Sequence, residues 1–129
     1  PPPPSFFLHA QAVLPDPLWS RGLGDVYKRQ LLDGLVKSND LEKMFDDIFS
    51  IEEVGIYKPD EKVYDMPIKK YKVEKNEVAF LSANTWDVSG AGNFGFNAIW
   101  VNRNKNIFDK LDYIPHNEIN NLNGLLKLI

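Results

Sequence analysis

The sequence predicts an α/β fold in which a parallel β-sheet is covered by helices. Two short apolar runs, residues 78–81 and 98–101, are typical of strands buried inside such a sheet. Between them, residues 87–95 carry many small side chains, which favours a helix packed closely on the sheet and ended by Gly95. A strand, a helix and a strand in this order predict a right-handed crossover between parallel strands.

Weaker patterns predict further elements on both sides of this unit. Apolar residues recur at helical spacing between positions 31 and 49, which predicts two short helices, the second capped by Asp40. Residues 50–54 are a candidate for a short strand, and residues 122–129 for a short terminal helix.

One more helix is predicted to begin at Pro59, because proline is favoured in the first turn of a helix. The apolar positions that follow extend this helix to Tyr71. Pro67 is discordant, since a proline inside a helix removes a backbone donor and should kink the helix or end it early.

The first 30 residues differ from the rest of the chain. They hold six of its nine prolines and show neither a helical period nor strand alternation. Residues 24–30 resemble translated sequencing-adapter read-through. We therefore expect residues 1–30 to be a non-native or disordered leader, and residues 31–129 to form a partial core domain.

Composition limits the classes of function. The 129 residues suffice for one domain, and a net charge of −3 with scattered cations argues against nucleic acid as a partner. The sequence has no cysteine, which excludes disulfides and thiolate chemistry and makes the cytoplasm the default location. It has no apolar stretch of the ~20 residues that a membrane helix needs, so no membrane is expected as a partner.

Three polar residues follow the first predicted core strand. In open parallel sheets, ligands bind beyond the carboxyl ends of the strands, and Ser82, Asn84 and Asp87 come at this place. A carboxylate at Asp87 is also favoured by the nearby helix N-terminus. Residues that merely cap the helix and form the turn would give the same pattern, and spacing alone leaves the two interpretations equal.

Lys58 precedes the helix predicted from Pro59. A cation is disfavoured at the positive end of a helix unless an anion lies close to it, so this position hints at an ion pair. An ordinary solvated surface lysine is the alternative.

Two motifs together carry a family resemblance. Ile-Tyr-Lys-Pro at 56–59 and Ser-Ala-Asn-Thr-Trp-Asp at 82–87 resemble 2-haloacid dehalogenases, the metal-free branch of the haloacid dehalogenase superfamily. The resemblance extends over residues 31–129 and includes residues 94–103, where Arg103 is expected to be a surface or capping residue. It implies the C-terminal part of a Rossmann-like parallel sheet with flanking helices, lacking the first strands and the cap domain.

The resemblance also implies a chemistry. In this family an aspartate attacks the halogen-bearing carbon of a short 2-haloacid, and water hydrolyses the resulting ester. By motif, Asp87 would position or deprotonate that water, Ser82 and Asn84 would hold the nucleophile and the water in line, and Lys58 would keep the nucleophile ionised. Trp86 would line the substrate site and exclude solvent. The resemblance leaves a homodimer open.

The nucleophile itself is not found in this chain. Asp25 begins an Asp-x-Tyr pattern, but Lys28 and Arg29 replace the Gly-Thr that the family carries, and no apolar strand precedes it. We therefore expect a fragment with a gap in its sheet, marginally stable and unable to turn over a haloacid alone.

Two other functions remain open. A magnesium-dependent phosphatase of the same superfamily would need an acid where Ala83 stands, and alanine offers no oxygen ligand, so neither a metal nor a cofactor is expected. A small noncatalytic α/β domain that binds anions at its strand ends would instead unfold cooperatively without any missing part.

Overall fold

The computed structural model describes the backbone of residues 5–8, parts of the segment 33–49 (33–34, 37–40, 43, 46–47 and 49) and residues 55–128. The strands are β1 (Ser5–Leu8), β2 (Val78–Ser82), β3 (Asn97–Val101) and β4 (Asn117–Ile119), and the α-helices are α1 (Glu61–Tyr71) and α2 (Thr85–Phe94). Two 3-10 helices cover Lys75–Glu77 and Leu122–Lys127. The strand predicted at 50–54 and most of the helices predicted between 31 and 49 lie outside the described residues.

The described strands form one sheet in the order β1-β2-β3-β4, and every neighbouring pair is parallel. The two strands predicted from the apolar runs are confirmed as β2 and β3, paired with Phe80 opposite Ala98 and Leu81 opposite Ile99. The helix α2 connects them as predicted. Because all four strands run the same way, their carboxyl ends lie at one rim of the sheet.

The edge of β2 opposite β3 is occupied, whereas a gap was expected there. Ser5–Leu8 pairs with β2 in parallel, so that Leu8 lies opposite Leu81. A buried strand with an unpaired edge leaves backbone donors and acceptors unsatisfied, at ~1–3 kcal/mol each, and this pairing satisfies them. The division of the chain at residue 30 stays a prediction, because most of residues 1–30 lie outside the described part.

The largest apolar cluster lies between the sheet and the helices α1 and α2. Tyr64 of α1 is at its centre, with its ring 5.7 Å from that of Phe80, 5.9 Å from that of Phe94 and 6.1 Å from that of Phe96. The other buried members are Val78, Val88, Ala91, Ala98 and Trp100. This cluster fixes α1 against α2 and thereby sets the position of the residues that precede each helix.

The opposite face of the sheet carries a second apolar cluster. Its buried members are Ala79, Leu81, Ile99, Val101 and Ile119, and Leu125 packs against them. Leu125 belongs to the tail segment, where the short terminal helix that the sequence predicts is a 3-10 helix, Leu122–Lys127. Within the described residues, no helix has the length and apolarity required to cross a lipid bilayer.

The first helix begins two residues later than predicted. Asp60 is its N-cap, and the Asp60 side chain accepts a hydrogen bond from the backbone N–H of Lys62 at 2.9 Å. The placement of Pro59 inside the first turn is therefore wrong, because an aspartate N-cap satisfies the free donors of that turn. The predicted end at Tyr71 is confirmed, and the helix continues through the buried Pro67.

Helix α2 ends as predicted and depends on its small residues. Gly95 is the C-cap with φ of 115°, a left-handed conformation that glycine adopts without strain. At Gly92, a Cβ atom would overlap the ring of Tyr113, which packs against the helix there. The close approach of Tyr113 to α2 therefore requires glycine.

Substituting Gly92 by alanine should destabilise the fold by about 1–3 kcal/mol, the usual cost of overpacking. Gly34→Ala is the matched control, because Gly34 is helical and a Cβ there meets nothing within 4 Å among the residues that the structure describes. Alanine at that site should be neutral or stabilise by up to ~1 kcal/mol. Urea denaturation followed by circular dichroism measures both, and equal effects at the two glycines would contradict the packing argument.

Candidate functional site

The turn from β2 into α2 places three polar residues at the rim of the sheet. Ser82 ends β2, Asn84 is the N-cap of α2 and Asp87 lies in its first turn. The backbone carbonyl of Asn84 accepts from the N–H groups of Asp87 and Val88 at 3.1 and 3.0 Å. The Ser82 hydroxyl accepts from the Asn84 N–H at 3.2 Å, whereas the Asn84 side chain makes no capping hydrogen bond. Ser82 thus has a turn-forming contact, and the carboxamide of Asn84 does not serve as a helix cap.

Lys58 and Asp87 form an ion pair at this rim. The Lys58 Nζ lies 3.1 Å from each carboxylate oxygen of Asp87, although 29 residues separate the two in sequence. The Asp87 side chain is fully buried and that of Lys58 is only 15% exposed. The hinted pairing is therefore confirmed, and a solvated surface lysine is not what the structure shows.

Tyr64 completes this arrangement and was not predicted as a site residue. Its hydroxyl donates to Asp87 Oδ1 at 2.8 Å, and its ring lies 5.5 Å from Lys58 Nζ. The sequence marks Tyr64 only as an apolar helix position six residues after Lys58. The one available signal of a site role is a tyrosine at a predicted core position, because a buried hydroxyl needs a hydrogen-bond partner.

Burial governs the electrostatics of these groups. Desolvation lowers the pKa of Lys58, while the charge of Asp87 and the hydrogen bond to it act in the opposite direction. Desolvation raises the pKa of Tyr64, and the Asp87 carboxylate raises it further. Tyr64 therefore remains a hydrogen-bond donor to Asp87 throughout the neutral range, and the carboxylate is held between a phenol and an amine.

This raised pKa predicts a pH dependence. Because the pKa of Tyr64 is higher in the folded than in the unfolded chain, its stabilising contribution is complete below the unfolded value of about 10 and is lost as pH rises above it. Tyr64→Phe should therefore lose less stability than the unmodified chain between about pH 10 and 12. Urea unfolding at a series of pH values measures this. Equal losses of stability in Tyr64→Phe and the unmodified chain over this range would contradict the assignment to Tyr64.

Trp86 lies at the edge of an open cavity and is 42% exposed. The cavity has a volume of about 430 Å³, and Asn84, Trp86, Trp100 and Ile107 are among its lining residues. The indole N–H of Trp100 donates to the Ala83 carbonyl at 3.1 Å, which anchors the residue between Ser82 and Asn84. Asn84 and Trp86 therefore line the same cavity. The buried Trp100 stabilises the turn through its hydrogen bond to Ala83.

A metal would find few ligands in this part of the chain. Ala83, between Ser82 and Asn84, has no oxygen in its side chain to offer a metal. In the described residues, no three of the side chains His, Asp and Glu are grouped as metal ligands would be. Ser82, Asn84 and Asp87 offer hydrogen-bonding chemistry, with the Asp87 carboxylate already engaged by Lys58 and Tyr64.

Known proteins resemble this chain over the same region. An (S)-2-haloacid dehalogenase of Pseudomonas putida is 37% identical over 91 residues, which make up 70% of this chain and 40% of that protein. A dehalogenase crystal structure aligns with a TM-score of 0.74 and 34% identity, covering 78% of this chain and 44% of the other. A HAD phosphatase of Thermococcus onnurineus aligns with a TM-score of 0.63 and 31% identity, covering 78% and 45%. The chain spans less than half the length of these proteins.

The match to a family model covers many more residues than the two motifs do. The model described as haloacid dehalogenase-like hydrolase matches residues 27–101, which are more than half of the 129 residues and include both β2 and β3. The predicted α/β fold with a parallel sheet agrees with this match and with the dehalogenase structure. The chain belongs to the haloacid dehalogenase-like hydrolases.

Proposed function

We propose that residues 31–129 are the C-terminal part of a hydrolase that removes halide from short 2-haloalkanoic acids. The single observation that carries the proposal is the buried contact of Lys58 and Tyr64 with Asp87 at the carboxyl rim of the sheet. Perturbed ionisable groups at a strand end are typical of active sites. The names of the relatives, (S)-2-haloacid dehalogenases, supply the substrate class.

The proposed reaction has two steps. A carboxylate oxygen of an aspartate outside this chain forms a bond to the halogen-bearing carbon as halide leaves with the bonding electrons. Water then attacks the carbonyl carbon of the resulting ester, which releases a 2-hydroxy acid and regenerates the carboxylate. Displacement at carbon needs no metal or other cofactor. This agrees with Ala83, whose methyl group cannot act as a metal ligand.

Each residue of the site has a proposed role in this sequence. Asp87 accepts a proton from the hydrolytic water or positions it, and Ser82 and Asn84 align the water and the nucleophile. Lys58 offsets the negative charge of two neighbouring carboxylates, a task that its burial strengthens. Tyr64 holds the Asp87 carboxylate in place, and Trp86 excludes solvent from the substrate.

A magnesium-dependent phosphatase is the second candidate, favoured by the likeness to the Thermococcus onnurineus protein. Hard cations require oxygen ligands, and the methyl group of Ala83 supplies none. The dehalogenase therefore fits the residues of the rim better. The proposed location is the cytoplasm, and whether the whole enzyme is a homodimer is a question for sedimentation of the complete protein.

Fusion to a nucleophile-bearing partner tests the proposal. The amino-terminal half of the Pseudomonas putida dehalogenase, joined ahead of residue 31, should give a protein that releases chloride from 2-chloropropionate. The 129-residue chain alone should release none above the level of its Lys58→Ala variant. Chloride release by the unfused chain, or a cooperatively folded fusion that releases phosphate from phosphate monoesters and no chloride, would contradict the proposal.

A further inference from the structure

The tail helix, which is the 3-10 helix Leu122–Lys127, contacts the sheet through a glycine. A Cβ atom at Gly124 would lie 3.0 Å from both Cβ and Cγ2 of Ile119, the buried last residue of β4. A larger residue at this position would push the helix away from the sheet or displace Ile119. The close contact therefore requires glycine.

The residue before this glycine is Asn123, which gives the one Asn-Gly pair in the sequence. Asparagine is a thermolabile residue, because the backbone nitrogen of the next residue can attack its side-chain amide. Glycine leaves that nitrogen uncrowded, since it has no Cβ and adopts backbone angles that other residues avoid. The Asn123 side chain is exposed to water. The pair that the packing requires is thus also the one most open to deamidation.

The folded tail helix opposes this reaction. The Gly124 N–H donates to the Asn121 carbonyl at 3.1 Å, so the nitrogen that would attack is engaged in the helix. Helical side chains point outward while the N–H groups lie along the helix axis. The Asn123 side chain and this nitrogen therefore meet only when the backbone leaves the helical conformation.

The tail helix is weakly anchored. Leu125 packs against the second apolar cluster, whereas Leu122, Leu126 and Leu128 are 46%, 71% and 43% exposed. The hydrogen bonds of a 3-10 helix have poorer geometry than those of an α-helix, and a segment with few buried contacts opens at less cost than the whole domain. Local opening is thus the expected route to the reactive conformation.

We propose that Asn123 is a modification site, at which local opening of the tail helix allows conversion to aspartate and isoaspartate. The Gly124 nitrogen loses its proton and forms a bond to the Asn123 side-chain carbonyl carbon, while the amide NH₂ group takes up a proton and leaves as ammonia. The resulting succinimide adds water, and one of its two ring carbonyl–nitrogen bonds breaks. Cleavage at the side-chain carbonyl gives aspartate, and cleavage at the main-chain carbonyl gives isoaspartate. This chemistry is independent of any dehalogenase activity.

The isoaspartate product does not fit the folded tail helix. It carries an additional methylene group in the main chain, which lengthens the path between the Asn121 carbonyl and the Gly124 N–H that close the turn. On the side of Ile119, Gly124 has no free space that could absorb this change. The modification therefore separates the tail helix from the second apolar cluster and keeps it open.

Peptide mapping of the full 129-residue chain, kept folded in mildly alkaline buffer, tests the proposal. Trypsin releases residues 111–127 as one peptide, which contains Asn117, Asn120, Asn121 and Asn123. Mass spectrometry should find oxygen in place of NH at Asn123 about tenfold faster or more than at the other three, none of which precedes a glycine. An Asn123 that keeps its amide while another of the four reacts would overturn the proposal.

Two matched leucines test the local opening. Leu125→Ala removes the side chain that anchors the tail helix and should speed the reaction about tenfold. Leu126→Ala, at an exposed position of the same helix, should leave the rate within about twofold. Gly92→Ala destabilises the packing of α2 and should also leave the rate unchanged. Equal rates in the two leucine variants, or an acceleration by Gly92→Ala as large as that by Leu125→Ala, would exclude local opening.

Hydrogen exchange measures the effect of the modification on the tail. The Leu128 N–H donates to the Leu125 carbonyl at 2.9 Å and closes the end of the tail helix. In the isoaspartate form, separated by chromatography, this amide should exchange about tenfold faster or more than in Asn123→Asp. The variant has the same added charge and a main chain of normal length. Equal exchange in the two would show that the modification does not loosen the tail.

Discussion

Replacing Lys58 by methionine should cost the chain about 3–5 kcal/mol of folding free energy. Methionine fills a similar volume and keeps the contact with the rings of Tyr64 and Phe80, but it removes the ammonium that lies 3.1 Å from the buried Asp87 carboxylate. Removing one partner of a buried ion pair is strongly destabilising, and a domain has only ~5–15 kcal/mol to lose. Urea denaturation followed by circular dichroism measures the cost.

The chain offers a matched control in Lys69→Met. Lys69 pairs with Asp65 at 2.7 Å on the surface of α1, and its side chain is 76% exposed. An exposed pair contributes at most ~1 kcal/mol, so this substitution should change stability little. Similar losses for Lys58→Met and Lys69→Met would mean that the pair of Lys58 and Asp87 is accessible to water in solution, against the burial described above.

Asp87→Asn in the fused enzyme should lower the rate of halide turnover by about 10²–10⁴, the usual contribution of a general acid or base. Asparagine preserves the size of the side chain and still accepts from Tyr64, but it cannot take a proton from water. Displacement at carbon does not need this residue, so the ester should accumulate. Intact-mass spectrometry of the fused protein after mixing with 2-chloropropionate would show the added mass of 2-chloropropionic acid less that of the hydrogen chloride lost when the ester forms.

Asp65→Asn serves as the comparison for this experiment. It removes a carboxylate from the exposed face of α1 and should leave turnover within a factor of two or so, as surface changes distant from the site do. Turnover by Asp87→Asn within tenfold of the unmodified fusion, with no trapped ester, would assign hydrolysis to another residue.

Much of the fold follows from local sequence. The runs at 78–81 and 98–101 are apolar at every position, and both are strands buried on each face of the sheet, for which continuous hydrophobicity is the signal. Gly95 ends α2 because only glycine adopts its φ without strain. The position of Lys58 directly before a helix predicts an ion pair, and the contact with Asp87 confirms it.

Other features depend on tertiary contacts that local patterns do not encode. Strand β4 lies in a polar segment and is defined by pairing with β3, which no period predicts. The sequence pattern predicts Tyr64 as a core residue, and its ring is indeed buried in the apolar cluster. The hydrogen bond from its hydroxyl to Asp87 depends on the packing of α1 against α2, which the pattern does not predict. Asn102 likewise closes its loop through partners 4 and 16 residues away.

The dual position of Tyr64 links the site to the cooperativity of the fold. Its ring lies in the main apolar cluster while its hydroxyl holds Asp87, so the carboxylate cannot be released by a small local fluctuation of the rim. Opening the site requires the first helix to detach from the second, which exposes the aromatic cluster. Amide hydrogen exchange at Asp87 and at the centre of the sheet should therefore proceed through the same global opening event.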